Sequence, residues 1–232
     1  VDETFEWERR PQLVHDVAKA LRERIYAGTY PPGHALRQLQ ISSQLKVSRT
    51  PVREAFRLLE QEGLVTPTPG GGVRVISIDL ERMLDAYAMR EVIDGLAASE
   101  CARKADKSSL DHLLAIIEKQ RRAMTPWSQG DYVNANVEFH AAILALSSNS
   151  FLMRELPIIR MTSQVFKPMS HLGNDRAAQA IDEHIEIIDS IRRGVPETAE
   201  RVARRHVRRT MDSLMVNAVS QIGERTAAAS SR

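Results

Sequence analysis

Lys46-Val47-Ser48-Arg49-Thr50-Pro51-Val52-Arg53-Glu54-Ala55 is the stretch that decides how this chain folds. Ser48 or Thr50 can cap a helix, Pro51 fits within its first turn, and Val52, Phe56 and Leu59 make an apolar stripe that runs to Gly63. Upstream, Leu39, Ile41 and Leu45 predict a short helix ending at Lys46-Val47. Two helices joined by a tight turn make a helix-turn-helix. Further out, Leu13, Val14, Val17, Leu21 and Ile25 recur at helical spacing between Leu13 and Ala27, and Gly28 follows as a stop. Thr29-Tyr30-Pro31-Pro32-Gly33 is turn chemistry. Downstream, Leu64-Val65-Thr66 and Val73-Arg74-Val75-Ile76 predict two strands around a tip at Pro67 to Gly72, a hairpin placed as a wing.

In such a motif the second helix enters the major groove of DNA with its N-terminal residues against base edges. Here that end carries Ser48, Arg49, Thr50 and Arg53. Arginine can donate two hydrogen bonds to guanine, so Arg49 and Arg53 are the candidate base readers, while Ser48 and Thr50 suit phosphate oxygens. Arg37 and Lys46 are expected on the phosphate backbone through charge, and Gly71 through close approach of the wing. The charge distribution agrees. Residues 9–78 hold 11 Lys/Arg against 5 Asp/Glu, whereas residues 79–232 hold 21 of each. An excess confined to one segment points to an anionic partner, with double-stranded DNA the first candidate.

Beyond Ile78 the pattern is helical nearly throughout. Asp79 can cap a long helix through Arg103, Ser108 with Asp111 gives a weaker capping signal, and Leu110 to Met124 is amphipathic. Further helices are predicted at Asp131 to Leu146, Ser150 to Met169, Asp175 to Arg193 and Pro196 to Gly223, with Glu224 to Arg232 as a frayed tail. The fold class is therefore mainly α: a winged helix-turn-helix over residues 1–78, led by a short acidic segment, and an all-helical antiparallel bundle over residues 79–232. With 43% hydrophobic and 27% charged residues, the chain has material for a core and is not globally disordered. The longest unbroken apolar run, Ala141 to Leu146, is far too short to span a bilayer, and no early segment looks like a signal peptide, so a cytoplasmic protein with no membrane partner is expected. One cysteine, Cys101, excludes a disulfide framework and any multi-cysteine zinc finger; it is expected to be a small buried residue. Met83, Met89, Met161 and Met215 are expected to fill the core.

Asn136 and His140 stand four apart on one predicted helix and share a face; His184 and His206 fall near the middles of the last two helices. Spacing alone leaves two readings open: ordinary helical histidines, or three imidazoles and one oxygen converging on Zn, Ni, Mn, Co or Fe. His15, His34, His112 and His171 carry only the first.

The run from Lys46 to Ala55, with Leu58-Leu59-Glu60 and Glu62-Gly63-Leu64-Val65 behind it, resembles the DNA-binding domain of GntR-family bacterial transcription regulators over about Leu13 to Ile78. The chain departs from that pattern at Lys46, where glycine is usual in the turn, and at Gln40, where glutamate is usual. Arg90-Glu91-Val92-Ile93-Asp94, Asn136 to His140, Glu183-His184 and Ala203 to His206 resemble the ligand-sensing FCD domain of the FadR-type subfamily. The resemblance implies that Asn136, His140, His184 and His206 hold a divalent metal ion, although Asn136 stands where Asp is usual and brings no charge. It also implies that Arg90 clamps the carboxylate of a small organic acid effector beside the metal; the other reading of Arg90 is an ion pair with Asp94.

Taken together, these readings predict a DNA-binding transcription regulator, with repression as the preferred direction. It would act as a homodimer on a palindromic operator and respond to a small carboxylate. The competing class is a metal-dependent hydrolase with an accessory basic domain, for which Glu138 is the nearest candidate base. Glu138 is two residues from both Asn136 and His140, so it points away from their shared face.

Overall fold

Helix α1 (Arg9–Tyr26) ends where Gly28, with φ 76°, supplies the left-handed backbone that ordinary residues avoid. In the computed structural model, which describes residues 9–77, 79–165 and 173–230, Val17, Leu21 and Ile25 of this helix are buried. They share a core with Ile41 of α2 (Gln38–Leu45) and with Val52, Phe56 and Leu59 of α3 (Arg49–Gln61). A two-point hydrogen bond from Arg22 to Glu62 ties α1 to the end of α3, its Nε donating over 2.7 Å.

The wing is a three-stranded sheet rather than a lone hairpin. Its strands are β1 (Ala35–Leu36), β2 (Val65–Thr68) and β3 (Gly72–Val75), in the order β1-β3-β2, all antiparallel. Thr68 pairs with Gly72, so the tip is three residues long, shorter than the sequence suggested. Two residues carry too little periodicity to announce β1. A Cβ on Gly72 would lie 2.8 Å from the Leu36 carbonyl oxygen, so only glycine permits this approach of the strands.

Lys46 adopts φ 55° and ψ 41°, the left-handed conformation that glycine occupies without strain. Val47 N–H donates to the Ser42 carbonyl over 3.0 Å, closing α2 in the wide turn usual at helix ends. Lysine at this position thus makes the turn at the expense of backbone strain. Lys46→Gly is expected to stabilise this unit by about 1 kcal/mol, raising its melting temperature by roughly 4 to 8 °C for a domain of this size, as calorimetry would read.

The chain divides into two compact units, Val1–Ile78 with Gln164–Phe166, and Asp79–Ser163 with Lys167–Arg232. In the second, Asp79 accepts a hydrogen bond from Arg82 N–H and starts α4 (Leu80–Lys104). Helix α5 (Lys107–Arg122) is capped by Asp106, not by Ser108: one Asp106 oxygen accepts from Ser109 N–H and from both serine hydroxyls. Ser128 caps α6 (Gln129–Leu146). The predicted helix from Ser150 breaks into α7 (Ser150–Met153), α8 (Leu156–Arg160) and a π-helical turn (Met161–Val165), because Pro157 lacks the N–H that a continuous helix needs; residues 166–169 of that prediction lie outside the described residues. Helix α9 (Gly173–Arg192) precedes α10 (Pro196–Ser230), which continues into the expected tail as far as Ser230; Ala227-Ala228-Ala229 is strong helix-forming sequence.

Helix α10 lies against α4, and a Cβ on Gly95 would sit 2.6 Å from the Arg204 side chain, so glycine sets how closely these two helices approach. The bundle core runs from Ile93 and Ala97 through Leu113, Ile116, Tyr132, Phe139 and Ile143 to Ile187, Ile188 and Ala203. Cys101 is buried there with its Sγ 3.2 Å from the Ile143 carbonyl oxygen, as a small apolar residue would be. Met89 and Met215 are exposed instead of filling the core, because each lies on the outward side of its helix.

Candidate metal centre and nucleic-acid interface

Ser48, Arg49, Thr50 and Arg53 are all exposed at the start of α3, as are Arg37 and Lys46 before it. Ser48 occupies the cap position, but its side chain makes no capping hydrogen bond, which leaves the hydroxyl to an outside partner. Among the described residues Arg37, Lys46 and Arg49 form no ion pair. Arg53 contacts Glu54 at 3.3 Å, an exposed pair of the kind that holds a side chain only weakly. Gly71, with φ 79°, stands at the wing tip, where its carbonyl accepts from Gln38 Nε2.

The histidines lie inside the other unit. His140 on α6, His184 on α9 and His206 on α10 are buried, and their ligand nitrogens all fall within 4.8 Å of one another. Each Nδ1 is held from behind. Gln120 of α5 donates its amide to the Ala135 carbonyl, which turns Oε1 toward His184 Nδ1 at 2.9 Å. Glu183 Oε2 lies 2.7 Å from His206 Nδ1, and Asp94 Oδ2 lies 3.3 Å from His140 Nδ1. An amide oxygen and two carboxylates can only accept, so every Nδ1 carries the proton and every Nε2 turns a lone pair inward.

His184 Nε2 and His206 Nε2 face each other at 3.3 Å, and His140 Nε2 is buried with no hydrogen-bond partner among the described residues. Lone pairs so placed repel unless a cation lies between them. Two imidazole nitrogens on one tetrahedral ion, each at about 2.0 to 2.1 Å, are separated by about 3.3 Å. The donor set therefore fits a divalent metal, and the outer partners are those that orient metal-bound imidazoles.

Electrostatics keep these ligands ready. Burial lowers the His140 pKa to about 4, with Arg90 adding to the effect and Asp94 opposing it. Burial holds His184 well below its ordinary value, helped by the two neighbouring imidazoles, and lowers His206 despite Glu183. Glu183 goes the other way: burial pushes its carboxyl up, but hydrogen bonds from His206 and Arg176 outweigh it and hold the pKa at about 2. The three imidazoles are neutral and the two carboxylates charged at neutral pH.

Asn136 is buried one turn before His140 and lines a small cavity of about 20 Å³ together with Arg90, Arg176, His206, Tyr87 and Tyr132. Arg90 forms the ion pair with Asp94 that was its other reading. Its Nε donates to Asp94 at 3.0 Å, and its Nη1 to the hydroxyls of Thr162 and Ser163 at 3.1 Å each, in the π-helical turn. It is thus a buried ion pair that also lines the cavity. Glu138 points outward and bonds Lys119 at 2.6 Å, away from the histidines. His15 and His112 are exposed, His34 stacks on Tyr30, and His171 lies outside the described residues.

Sequence reasoning missed Gln120, Glu183 and Arg176 as parts of this centre. Gln120 lies 64 residues from the histidine it orients and Glu183 lies 23 from His206, so no helical spacing links them.

Comparisons with known proteins bear on the family and the fold of the two units. Residues 13–75 match the bacterial regulatory proteins of the gntR family, and residues 85–209 match the FCD domain. The chain is 26% identical over 209 residues to a Paenarthrobacter nicotinovorans protein named "Probable D-xylose utilization operon transcriptional repressor", covering 89% of this chain and 91% of that one. It is 22% identical over 198 residues to the HTH-type transcriptional repressor RspR of Escherichia coli (strain K12), covering 85% and 87%. In fold it is similar to E. coli McbR/YncC, with a TM-score of 0.77 at 18% identity over 89% of this chain and 98% of that one. Among the described residues no helix is long and apolar enough to cross a membrane. With more than half of its length matched by the FCD domain and its N-terminal unit by the gntR DNA-binding domain, the chain belongs to the GntR family of bacterial regulatory proteins, as a transcriptional regulator of the GntR/FCD type.

Proposed function

We propose that this protein is a cytoplasmic repressor of the FadR-type subfamily that binds a roughly palindromic operator as a homodimer and lets go when a small carboxylate enters its helical unit. The observation that carries the reading is the convergence of three Nε2 lone pairs beside a cavity lined by Arg90. His140, His184, His206 and Asn136 would hold the metal. When bound, such an ion supplies a positive charge with positions open to an anionic oxygen. Asp94, Gln120 and Glu183 keep the three rings in the ligating tautomer, and Arg90, with Nε and Nη1 engaged, keeps Nη2 for a ligand carboxylate. Arg49 and Arg53 read bases; Ser48, Thr50, Arg37, Lys46 and Gly71 meet the phosphate backbone. Met89, Val92 and Leu96 form an exposed apolar stripe along one side of α4, a surface suited to the two-fold contact. The ligand acts by binding the DNA-competent and incompetent arrangements unequally.

The reading favours regulation over hydrolysis because Glu138, the base a hydrolase would need, is bonded to Lys119 outside the site. Selection of an operator from random duplexes, followed by titration at two salt concentrations, tests it. The expected result is a two-fold symmetric site bound by two subunits, with affinity falling steeply with salt. Equal affinity for all duplexes would sink the regulatory reading.

A further inference from the structure

Helix α3 carries a third arginine beyond its two candidate base readers. Arg49, Arg53 and Arg57 follow one another at four-residue intervals, so they stand in one row along the helix, all exposed. Glu54 stands beside that row, one turn beyond Thr50. A carboxylate there lies on the side that meets DNA, and left alone it would repel the phosphates and hold back the arginine that must reach a base.

Its partners decide what it does instead. Both oxygens of Glu54 accept from Arg57 Nη1, at 3.0 and 3.2 Å. Arg53 offers it only Nε, over 3.3 Å, and the two terminal nitrogens of Arg53 make no hydrogen bond among the described residues. The difference follows from helix geometry: side chains three apart, with the acid nearer the N-terminus, meet across one turn, whereas adjacent side chains diverge. Arg57 therefore has the closer hold on the carboxylate.

That hold matters when Arg53 turns to a base. Its contact with Glu54 is then broken, and the carboxylate would stand unpaired against DNA if no other cation met it. Arg57 already meets it. Without Arg57, Arg53 is the one cation among the described residues left to Glu54, and every base contact competes with that pair. We infer that Arg57 is a positioning residue for base reading: it captures Glu54 and so frees Arg53, acting through the carboxylate and not through a DNA contact of its own. This rests on the reading of Arg53 as a base reader, and the two are tested apart.

Full-length wild type and the variants Arg53→Ala, Arg57→Ala, Arg57→Lys, Glu54→Gln and Glu54→Gln/Arg57→Ala are titrated at two salt concentrations on the selected operator and on its single-base variants. Arg53→Ala identifies the base pair that Arg53 reads, as the one whose preference is relaxed. At that pair Arg57→Ala should lower discrimination by about three- to fivefold, within the range of an exposed ion pair. Arg57→Lys should stay within about 1.5-fold of wild type, because an ammonium three residues on still draws the carboxylate. In the Glu54→Gln background the loss should vanish, since no charge is left to capture. Discrimination is a ratio of two affinities of one protein, so a reduced folded fraction leaves it unmoved.

If Arg53→Ala relaxes no base pair, the base-reading assignment falls and this inference falls with it. If Arg53→Ala does relax one, the assignment stands, and three results overturn the inference alone. The first is wild-type discrimination in Arg57→Ala, including a uniform loss on all duplexes with a salt slope lower by about one, which marks an ordinary phosphate contact. The second is an equal loss with and without Glu54, and the third is a loss in Arg57→Lys as large as that in Arg57→Ala.

Discussion

Zinc at a thousand times its dissociation constant is expected to stabilise the helical unit by about 4 kcal/mol, because an ion bound only by the folded state adds its binding energy to folding. For a unit of this size that is a rise of roughly 8 to 16 °C in melting temperature, reversed by a chelator. His184→Ala should abolish most of the response, since it removes the central imidazole and leaves Gln120 Oε1 without its donor. Asn136→Asp should strengthen metal binding by adding a negative ligand. Calorimetric melts with and without zinc, with elemental analysis of the loaded protein, check all three. No stoichiometric uptake together with an unmoved melting temperature would reduce the histidines to a polar cluster.

Acidity gives the same centre a second signature. In the unfolded chain the imidazoles take up protons near pH 6.5, whereas burial keeps His140 neutral in the folded chain down to about pH 4 and lowers the other two as well. The unfolded state therefore binds more protons across that window, and the metal-free protein should lose stability as pH falls from about 6.5 toward 4. For the same reason protons should compete with metal for the folded site at lower pH than they would for exposed histidines.

Arg49→Ala and Arg53→Ala are each expected to weaken binding to the selected operator by about 1 to 3 kcal/mol, roughly fivefold to 150-fold, and to relax the preference at one base pair. Arg49 enters DNA without breaking an ion pair, and Arg53 has only its exposed contact with Glu54 to give up. Arg37→Ala and Lys46→Ala should behave differently: each lowers the salt slope by about one unit while leaving base preference unchanged. Titrations of all four variants on the operator and on single-base variants separate the classes. Operator binding by Arg49→Ala and Arg53→Ala at wild-type affinity would refute their assignment.

The winged motif was legible because its signals are local. Helix α3 is announced by Pro51 in its first turn and by the spacing of Val52, Phe56 and Leu59, all within a dozen residues, and all of these residues are buried. The same holds for Asp79 at the start of α4, and for Asn136 and His140, which helical periodicity alone puts on one face. Where two local signals competed, sequence was less decisive. Asp106 and Ser108 are both good helix starters, and only the chain's actual path let one Asp106 oxygen collect three donors.

What tertiary structure alone decided is how distant residues meet. Bundle packing brings α5, α6, α9 and α10 together so that Gln120, His140, His184 and His206 share one site. The same packing makes Glu183, one residue from His184 in the chain, the partner of His206 instead. It also turns Arg176 inward beside Arg90. Periodicity specifies which face of a helix is buried, but the rotation and depth at which helices pack depend on side-chain shapes from several helices at once. The sequence thus determined which residues have metal-binding and anion-binding chemistry. The packing decided which of their nitrogens face one another, because that is set by hydrogen bonds between helices far apart in the chain.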